Sequence, residues 1–209
     1  MSKIVSVNVG QQRTVEFRGR QVSTGIYKSP VHGPVRVEGV NLVGDDQADR
    51  SVHGGTHKAV YAYASEDYGW WSEQLGRTVG AGTFGDNLTT QGVDVGQAVV
   101  GQRWCIGEVV LEVSEPRLPC YKLGIRMEDA RFPKIFSASL RPGAYLRIVD
   151  EGSLRAGDEI EIGFAPEHGI TVSDVARIYE NDRHEARRLL AVPELSDQWK
   201  DWGRRFDEA

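Results

Sequence analysis

The stretch AVVGQRWCIGEVVLEVSEPRLPCYKLG, residues 98–124, decides the fold class. It contains two short runs rich in β-branched and apolar residues, 98–106 and 109–114, which are joined by a glycine-containing turn. Two prolines then restrict the backbone ahead of Cys120. The stretch therefore predicts two strands, an interruption of strand pairing at the prolines, and a thiol on the rim of the sheet.

Similar runs fill the chain up to residue 163, and its 24 glycines are typical of many tight turns. Strands at this density with few helices between them favour a barrel over a parallel doubly wound fold. We therefore predict a mostly β fold, a closed barrel with a few short helices. The further runs are residues 4–9, 14–17, 22–27, 35–42, 144–149 and 159–163.

Two helices are predicted to interrupt these strands. Residues 65–76, SEDYGWWSEQLG, begin with a serine and an acidic first turn and end at glycine, and residues 131–140 form a shorter helix. Gly80 to Gly85 matches the GxGxxG of dinucleotide-binding loops, but a helix precedes it and no helical pattern follows. We interpret this cluster as turn-forming glycines.

The last part of the chain has a different composition. Three short amphipathic runs follow residue 166, the first of them capped by Thr171. None would form a stable helix alone at that length. We therefore predict a β-barrel domain over residues 1–165 and a small three-helix appendage over residues 166–209.

Charge and cysteine content limit the function classes. A formal charge of −5, from 25 basic and 30 acidic residues, gives no reason to expect nucleic acid as the main partner. We expect no signal peptide and no membrane span, since no apolar run approaches roughly 18 residues. Two cysteines without a CxxC motif indicate a reducing, cytoplasmic setting.

His53 and His57 are four residues apart, the spacing of a zinc-binding helix. Gly54 and Gly55 lie between them and the glutamate of an HExxH motif is missing, which argues against such a site. The chain also has no GxSxG elbow and no Walker loop, so serine-hydrolase and P-loop activities find no support.

The segment GDDQADRSVHGGTHKAVYAY, residues 44–63, places acidic, basic and glycine residues ahead of an apolar strand-like run. A Gly-Gly turn exposes successive backbone N–H groups, and Lys58 adds positive charge, which together outline an anion-binding loop. An ordinary surface loop explains the same pattern. The residues alone leave both interpretations open.

The two cysteines differ in their surroundings. Cys105 lies in an apolar strand-like run and is interpreted as a small core hydrophobe. Cys120 lies between Arg117 and Lys122, whose charges favour the thiolate that binds metal or attacks an electrophile. A structural thiol is the alternative.

Five ordered segments of the chain resemble the MOSC family, named for the C-terminal domain of molybdenum-cofactor sulfurases. More narrowly, they are similar to the YiiM-type branch, the 6-hydroxylaminopurine-resistance proteins, whose tri-helical domain the tail also resembles. The segments are TGIYKSPVHGPVRV, GDDQADRSVHGGTHKAVYAYASEDYGWW, GTFGDNLTTQGV, GEVVLEVSEPRLPCYKLGIRM and RPGAYLRIVDEGSLRAGDEIEI.

The resemblance implies a closed MOSC-type β-barrel that binds the molybdenum cofactor, a molybdopterin carrying molybdenum. Cys120 matches the invariant cysteine of the family, which makes it the expected metal ligand and a catalytic residue. Lys28 and Ser29 match a Lys-Ser pair expected at the phosphate end of the cofactor, and Arg117 belongs to the cysteine motif. The other cofactor-binding residues implied are His53, Gly54, Gly55, Lys58, Gly85, Asp86 and Asn87.

For function, the resemblance implies reduction of a small N-hydroxylated base or a related N-oxygenated compound. His53 or His57 is the expected catalytic proton donor. Because the chain has no dinucleotide, flavin or iron–sulfur motif that its context supports, electrons are expected from a separate reductase.

Two other functions are compatible with the same residues. Cys120 could carry a persulfide in sulfur transfer, or the barrel could be a non-catalytic cofactor carrier. The sequence also leaves open whether the aromatic face of the tail packs on its own barrel or forms a homodimer.

Overall fold

The strands form where β-branched and aromatic residues alternate between short turns. The computed structural model describes residues 1–48 and 54–206. Its strands are β1 (Lys3–Val9), β2 (Arg13–Phe17), β3 (Arg20–Thr24), β4 (Ser29–Pro30), β5 (Val35–Glu38), β6 (Asn41–Leu42), β7 (Val60–Ala64), β8 (Leu88–Gln91), β9 (Arg103–Ile106), β10 (Val109–Pro116), β11 (Ala144–Asp150), β12 (Gly152–Leu154) and β13 (Glu161–Ile162).

Within the described residues, eight of these strands form one sheet in the order β13, β9, β10, β11, β7, β8, β1, β4. The sheet curls until the residues just before β13 meet β1. There the amide of Ile4 donates to the carbonyl of Asp158 at 2.9 Å, and the amide of Ile160 donates to that of Ser2 at 2.8 Å. The mostly β fold class is thus confirmed, as a curled half-barrel whose end strands are β4 and β13.

Helical segments surround the sheet. Residues 65–75 and 132–138 confirm the two helices predicted between the strands. The α-helices are α1 (Ser65–Leu75), α2 (Tyr121–Met127), α3 (Phe132–Ala138), α4 (Val172–Glu180) and α5 (Asp197–Arg204), and the 3₁₀ segments are Thr56–Lys58 and Arg183–Ala191.

The local signals in the sequence explain several of these boundaries. Thr171 caps α4, since its side chain accepts from the amide of Asp174 and the Asp174 carboxylate accepts in return from the amide of Thr171. The glycine cluster forms consecutive turns, in which the amide of Gly85 donates to the carbonyl of Gly82 at 3.0 Å. Its interpretation as turn chemistry is therefore confirmed.

Two strand predictions around the cysteines need correction. The run 98–106 shortens to β9, because the amide of Val100 donates to the carbonyl of Ile170, at 3.0 Å, and so joins the tail. β10 continues through Pro116, which pairs with Ala144 of β11, so the prolines do not end pairing where we expected. Pro116 fits there because the pairs of β10 with β9 involve only its residues 109–112.

An aromatic cluster in the core lies against β7. Tyr61 of β7, Trp71 of α1 and Phe136 of α3 pack there with Phe84, which lies in the turns before β8. A separate cluster joins Val100 to the tail helices. The division into residues 1–165 and 166–209 stays a prediction.

Candidate functional site

A cleft lies at the end of β10, between the chain that follows β3, the start of β7 and the turn before β8. We call it the cysteine cleft; it encloses about 640 Å³, including the part that is open to solvent. Its described wall carries one carboxylate, Asp46, against four cationic side chains, those of Lys28, Lys58, Arg117 and Lys122. This excess of positive charge suits an anionic ligand.

Cys120 borders this cleft directly before α2, in extended backbone with φ −116° and ψ 174°. Its carbonyl accepts a hydrogen bond from the amide of Leu123 at 2.9 Å, which fixes the start of the helix. Neither Cys120 nor Cys105 forms a disulfide bond with a described residue, and both are partly buried. The predicted rim position of Cys120 therefore fits the structure, whereas Cys105 is less enclosed than a core residue.

Arg117 is buried, with 6% of its surface exposed. Its guanidinium lies over the rings of Tyr61 and Phe136, 5.6 and 5.3 Å from their centroids. Nη2 is 3.5 Å from the carbonyl of Phe84, and the guanidinium also interacts with the hydroxyl of Tyr145. Nη1 forms no hydrogen bond of normal geometry with a described residue. Because a buried donor without a partner is costly, Arg117 is suited to an anionic atom in the cleft.

Lys28 is already paired within the protein. Its ammonium forms an ion pair with Asp45, whose carboxylate also accepts from the amide of Gly10 at 2.9 Å and from Asn87 Nδ2 at 3.0 Å. Burial lowers the pKa of Lys28, and Asp45 opposes that effect. Asp45, an acidic residue of the segment 44–63, therefore neutralises much of the charge expected from Lys28.

The segment FGDNL is divided between the cleft and the core. Gly85 lines the cleft with φ 84°, a conformation that favours glycine. Asp86 is fully buried, and its carboxylate accepts from the hydroxyls of Tyr68 and Thr89 and from Asn8 Nδ2 at 3.2 Å. Burial raises the pKa of Asp86. These contacts give Asp86 a structural position rather than one in the cleft.

His57 lies in the 3₁₀ segment Thr56–Lys58 and packs against β10 and β11. Its Nδ1 is 3.5 Å from Arg147 Nη1, and since arginine can only donate, Nδ1 accepts in a neutral ring. Burial, and next the charge of Arg147, lower the pKa of His57. The structure does not bring this ring to Cys120.

The predicted site residues fall into three groups. Those that line the cysteine cleft are Lys28, Lys58, Gly85, Asn87, Arg117 and Cys120. Those in the described part of the chain that do not line it are Ser29, Gly54, Gly55, His57 and Asp86. His53 lies outside the described residues. The chemical roles of all of them stay predictions.

The aromatic residues of the cleft were not among the predicted site residues. Tyr61 and Tyr145 line it on neighbouring strands, with their ring centroids 5.3 Å apart. Burial raises the pKa of Tyr145 to about 12, against the opposing charge of Arg117. Tyr61 follows the HGGTHK segment by only a few residues, and this position could have marked it as a site residue. No comparable motif lies next to Tyr145.

Residues 49–161, which are 113 of the 209 residues, match the family model of the MOSC domain. The chain belongs to the MOSC domain family. The match includes Arg117 and Cys120, so the cysteine end of the cleft lies within the MOSC domain itself.

Relatives of this MOSC protein cover most of its length. Uncharacterized protein YflK of Bacillus subtilis is 34% identical over 200 residues, which are 94% of this chain and 90% of YflK. A Gibberella moniliformis protein named reductase is 32% identical over 177 residues, 83% of this chain but 31% of that protein. The crystal structure of YiiM from Geobacillus stearothermophilus matches with a TM-score of 0.81 at 28% identity and covers 99% of both chains. The chain is therefore a YiiM-like member of the family.

None of the helices in residues 1–48 and 54–206 of this MOSC protein is both long and apolar enough to span a membrane. The same residues contain no group of three or more His, Cys, Asp or Glu side chains that could hold a metal ion.

Proposed function

We propose that the chain binds a molybdenum cofactor in the cysteine cleft, with Cys120 as its protein ligand, and reduces N-hydroxylated bases or related N-oxygenated compounds. The observation that carries the proposal is the meeting of Cys120 with Arg117, whose guanidinium is buried, and with Lys58 and Lys122 in one cleft. Membership of the MOSC family supports the cofactor. The Gibberella relative named reductase supports the direction of the reaction.

The side chains of the cleft fit such a cofactor. A thiolate is a soft ligand that suits molybdenum held by a dithiolene. Nη1 of Arg117 is a buried donor for a phosphate or pterin oxygen, and Lys122 adds positive charge. Lys58 also lines the cleft, but Glu115 offsets part of its charge at 3.6 Å. Lys28 would contribute less than the sequence indicated, because Asp45 already pairs with it.

The residues of the chain would bind and orient, while the bound cofactor would supply two-electron redox chemistry. The net reaction uses two electrons and two protons for each N–OH group and releases the amine and water. Arg117 would hold the anionic end of the cofactor, and Tyr61 and Tyr145 would exclude water beside Cys120. His57 receives no support as the proton donor, since it lies outside the cleft.

We further propose that a separate reductase supplies the electrons. The Gibberella reductase supports this arrangement, because this chain matches only 31% of that longer protein. The purified chain should therefore reduce 6-hydroxylaminopurine with a chemical electron donor but not with NADPH alone. Turnover with NADPH by the chain alone would contradict a separate donor.

Metal analysis of the purified protein tests the role of Cys120. We expect near-stoichiometric molybdenum in the wild type, and none above background in Cys120→Ala, because the thiolate ligand is lost. Cys105→Ala is the matched control, since Cys105 is the other cysteine of the chain, is also partly buried and lies on β9. Cys105→Ala should retain both molybdenum and the reduction of 6-hydroxylaminopurine.

The same measurement separates the other functions. If Cys120→Ala keeps its molybdenum and its activity, Cys120 is not the ligand and the proposal is wrong. Cyanide-labile sulfur on Cys120 with no molybdenum in the wild type would indicate sulfur transfer instead.

A further inference from the structure

A second cavity lies between the end of β10 and the helices α4 and α5. We call it the tail pocket; it encloses about 900 Å³, including its open part. Lys58, Cys120 and Tyr145 line both this pocket and the cysteine cleft. Cys120 therefore lies where the two cavities meet, and a ligand in one would be next to a ligand in the other.

The tail helices give this pocket an aromatic wall. Tyr179, Trp199 and Trp202 line it, with ring centroids 5.5 Å apart for Tyr179 and Trp199 and 5.2 Å apart for Tyr179 and Trp202. Trp199 is buried and anchors the tail core, whereas Tyr179 and Trp202 are only partly buried. Part of a flat, polarizable surface is thus left facing the pocket, which suits stacking against an aromatic ring.

A buried carboxylate lies on the opposite wall. Glu115 is 2% exposed and lines the pocket. Its Oε1 is 3.6 Å from Lys58 Nζ. Burial raises the pKa of Glu115, and the nearby side chains of Ser196, Lys58 and Trp199 oppose that effect. Oε2 still forms no hydrogen bond of normal geometry with a described residue. A buried acceptor in that state favours a ligand that brings an N–H donor.

From these two walls we propose that the tail pocket is the substrate site, and that it takes a flat nitrogen heterocycle whose N–H groups donate to Glu115 while its ring stacks on Trp202. The inference rests on the proposed function, because it gives the position at which an N-hydroxylated base would meet Cys120. It adds a role for the helical tail, which supplies half of the site. It also separates the cofactor-binding residues of the cleft from the substrate-binding residues of the pocket.

Calorimetric titration of the 209-residue chain with adenine tests the site without turnover. Adenine has the flat ring and the N–H donors but no N–OH group to reduce. We expect Trp202→Leu to weaken adenine binding about tenfold, since it keeps apolar bulk but removes the flat ring. Trp70→Leu is the matched control, because Trp70 is also partly buried but lies on α1 beside Arg141 and should bind adenine as the wild type does.

A second variant covers the case in which Trp202→Leu does not fold. Glu115→Gln keeps the shape of the side chain but replaces one carboxylate oxygen by an amide donor, so adenine binding should weaken by about tenfold. Unchanged affinity in the folded variants, or no saturable binding of adenine by the wild type, would overturn the inference.

Molybdenum content measured on the same samples keeps the two proposals apart. Trp202→Leu should contain as much molybdenum as the wild type, because Trp202 does not line the cysteine cleft. If molybdenum is absent from every sample, the proposed cofactor fails, and the adenine titration still decides whether the tail pocket binds a heterocycle.

Discussion

Two cations of the cysteine cleft show how far a residue type predicts a role. Lys28 and Arg117 are equally plausible anion ligands in the sequence, but Lys28 is paired with Asp45 and Arg117 retains a buried donor without a described partner. The difference comes from the partners that the tertiary structure places beside each cation. Asp45, for example, lies 17 positions from Lys28 along the chain. Arg117 is therefore the better supported of the two as a ligand of the proposed cofactor.

His57 leads to a pH prediction at the same scale. Burial and the charge of Arg147 lower the pKa of His57 in the folded chain below its usual value of 6.5. At a pH between these two pKa values, His57 is protonated in the unfolded chain but not in the folded chain. Its contribution to stability is full above about pH 6.5 and is lost as the pH falls through the folded value. We expect the free energy of unfolding of the wild type to fall more steeply between pH 7 and 5 than that of His57→Asn.

Urea denaturation across that pH range makes the comparison. His32→Asn is the control, because His32 is an exposed histidine, and its profile should follow the wild type. If the profiles of His57→Asn and the wild type are parallel, the pKa of His57 is not lowered by folding and the prediction is wrong.

The cysteine end of the site was predictable from residue types, whereas its second wall was not. Proline, charge and family segments marked Cys120 and Arg117, and both line the cleft. Glu115 and Tyr145 gave no signal, because they become neighbours only through the pairing of β10 with β11. Pairing across more than a dozen residues depends on the whole sheet, which local patterns do not encode.

At the scale of elements, composition predicted most strands and helices but not where each one stops. The helix α2 was missed because Gly124 lies in its middle, and glycine disfavours helices. Glycine is needed there, since a Cβ would come within 3.0 Å of the carbonyl of Asp129. The middle run of the tail, Arg183–Ala191, forms a 3₁₀ segment instead of the predicted α-helix.

Gly143 gives a prediction about the junction of β7 and β11. It has φ 65°, and a Cβ there would lie 2.6 Å from the carbonyl oxygen of Ala62 and 2.8 Å from the ring of Tyr61. Gly107 has a similar φ of 58°, but nothing lies within 4 Å of its Cβ position. Both Gly→Ala changes should destabilise the folded chain, because alanine disfavours the left-handed backbone conformation. Gly143→Ala should lower the free energy of unfolding by a further 1–3 kcal/mol or so, because its Cβ clashes with these neighbours.

The free energy of unfolding in urea, measured for both glycine variants, checks this. Because the clash involves the backbone of β7 and the Tyr61 ring, Gly143→Ala should also reduce molybdenum retention if the cysteine cleft holds the cofactor. Equal destabilisation by the two changes would show that the backbone at Gly143 moves aside at little cost.

At the scale of the whole molecule, the tail and the sheet share their cores. Val100, from the chain before β9, packs among the tail residues, and Val172, from the first turn of α4, packs in the core of the sheet. The backbone bridge between Val99 and Thr171 joins the same two parts. Apolar residues that the sequence analysis assigned to a strand thus attach the tail, and the tail pocket is formed where that attachment ends.

This exchange of core residues predicts that the barrel and the tail unfold together, although the sequence divides them at residues 165 and 166. Val175→Ala, a fully buried change in α4, should lower the free energy of unfolding by roughly 1–3 kcal/mol. Hydrogen exchange should show the same loss for amides of the tail and of β10, because neither part keeps a complete core without the other. Val43→Ala is the control, since Val43 is 52% exposed and its loss should change stability by no more than about 0.5 kcal/mol. If the tail amides lose protection while those of β10 keep theirs, the tail is an independent unit, and its wall of the pocket can open without unfolding the barrel.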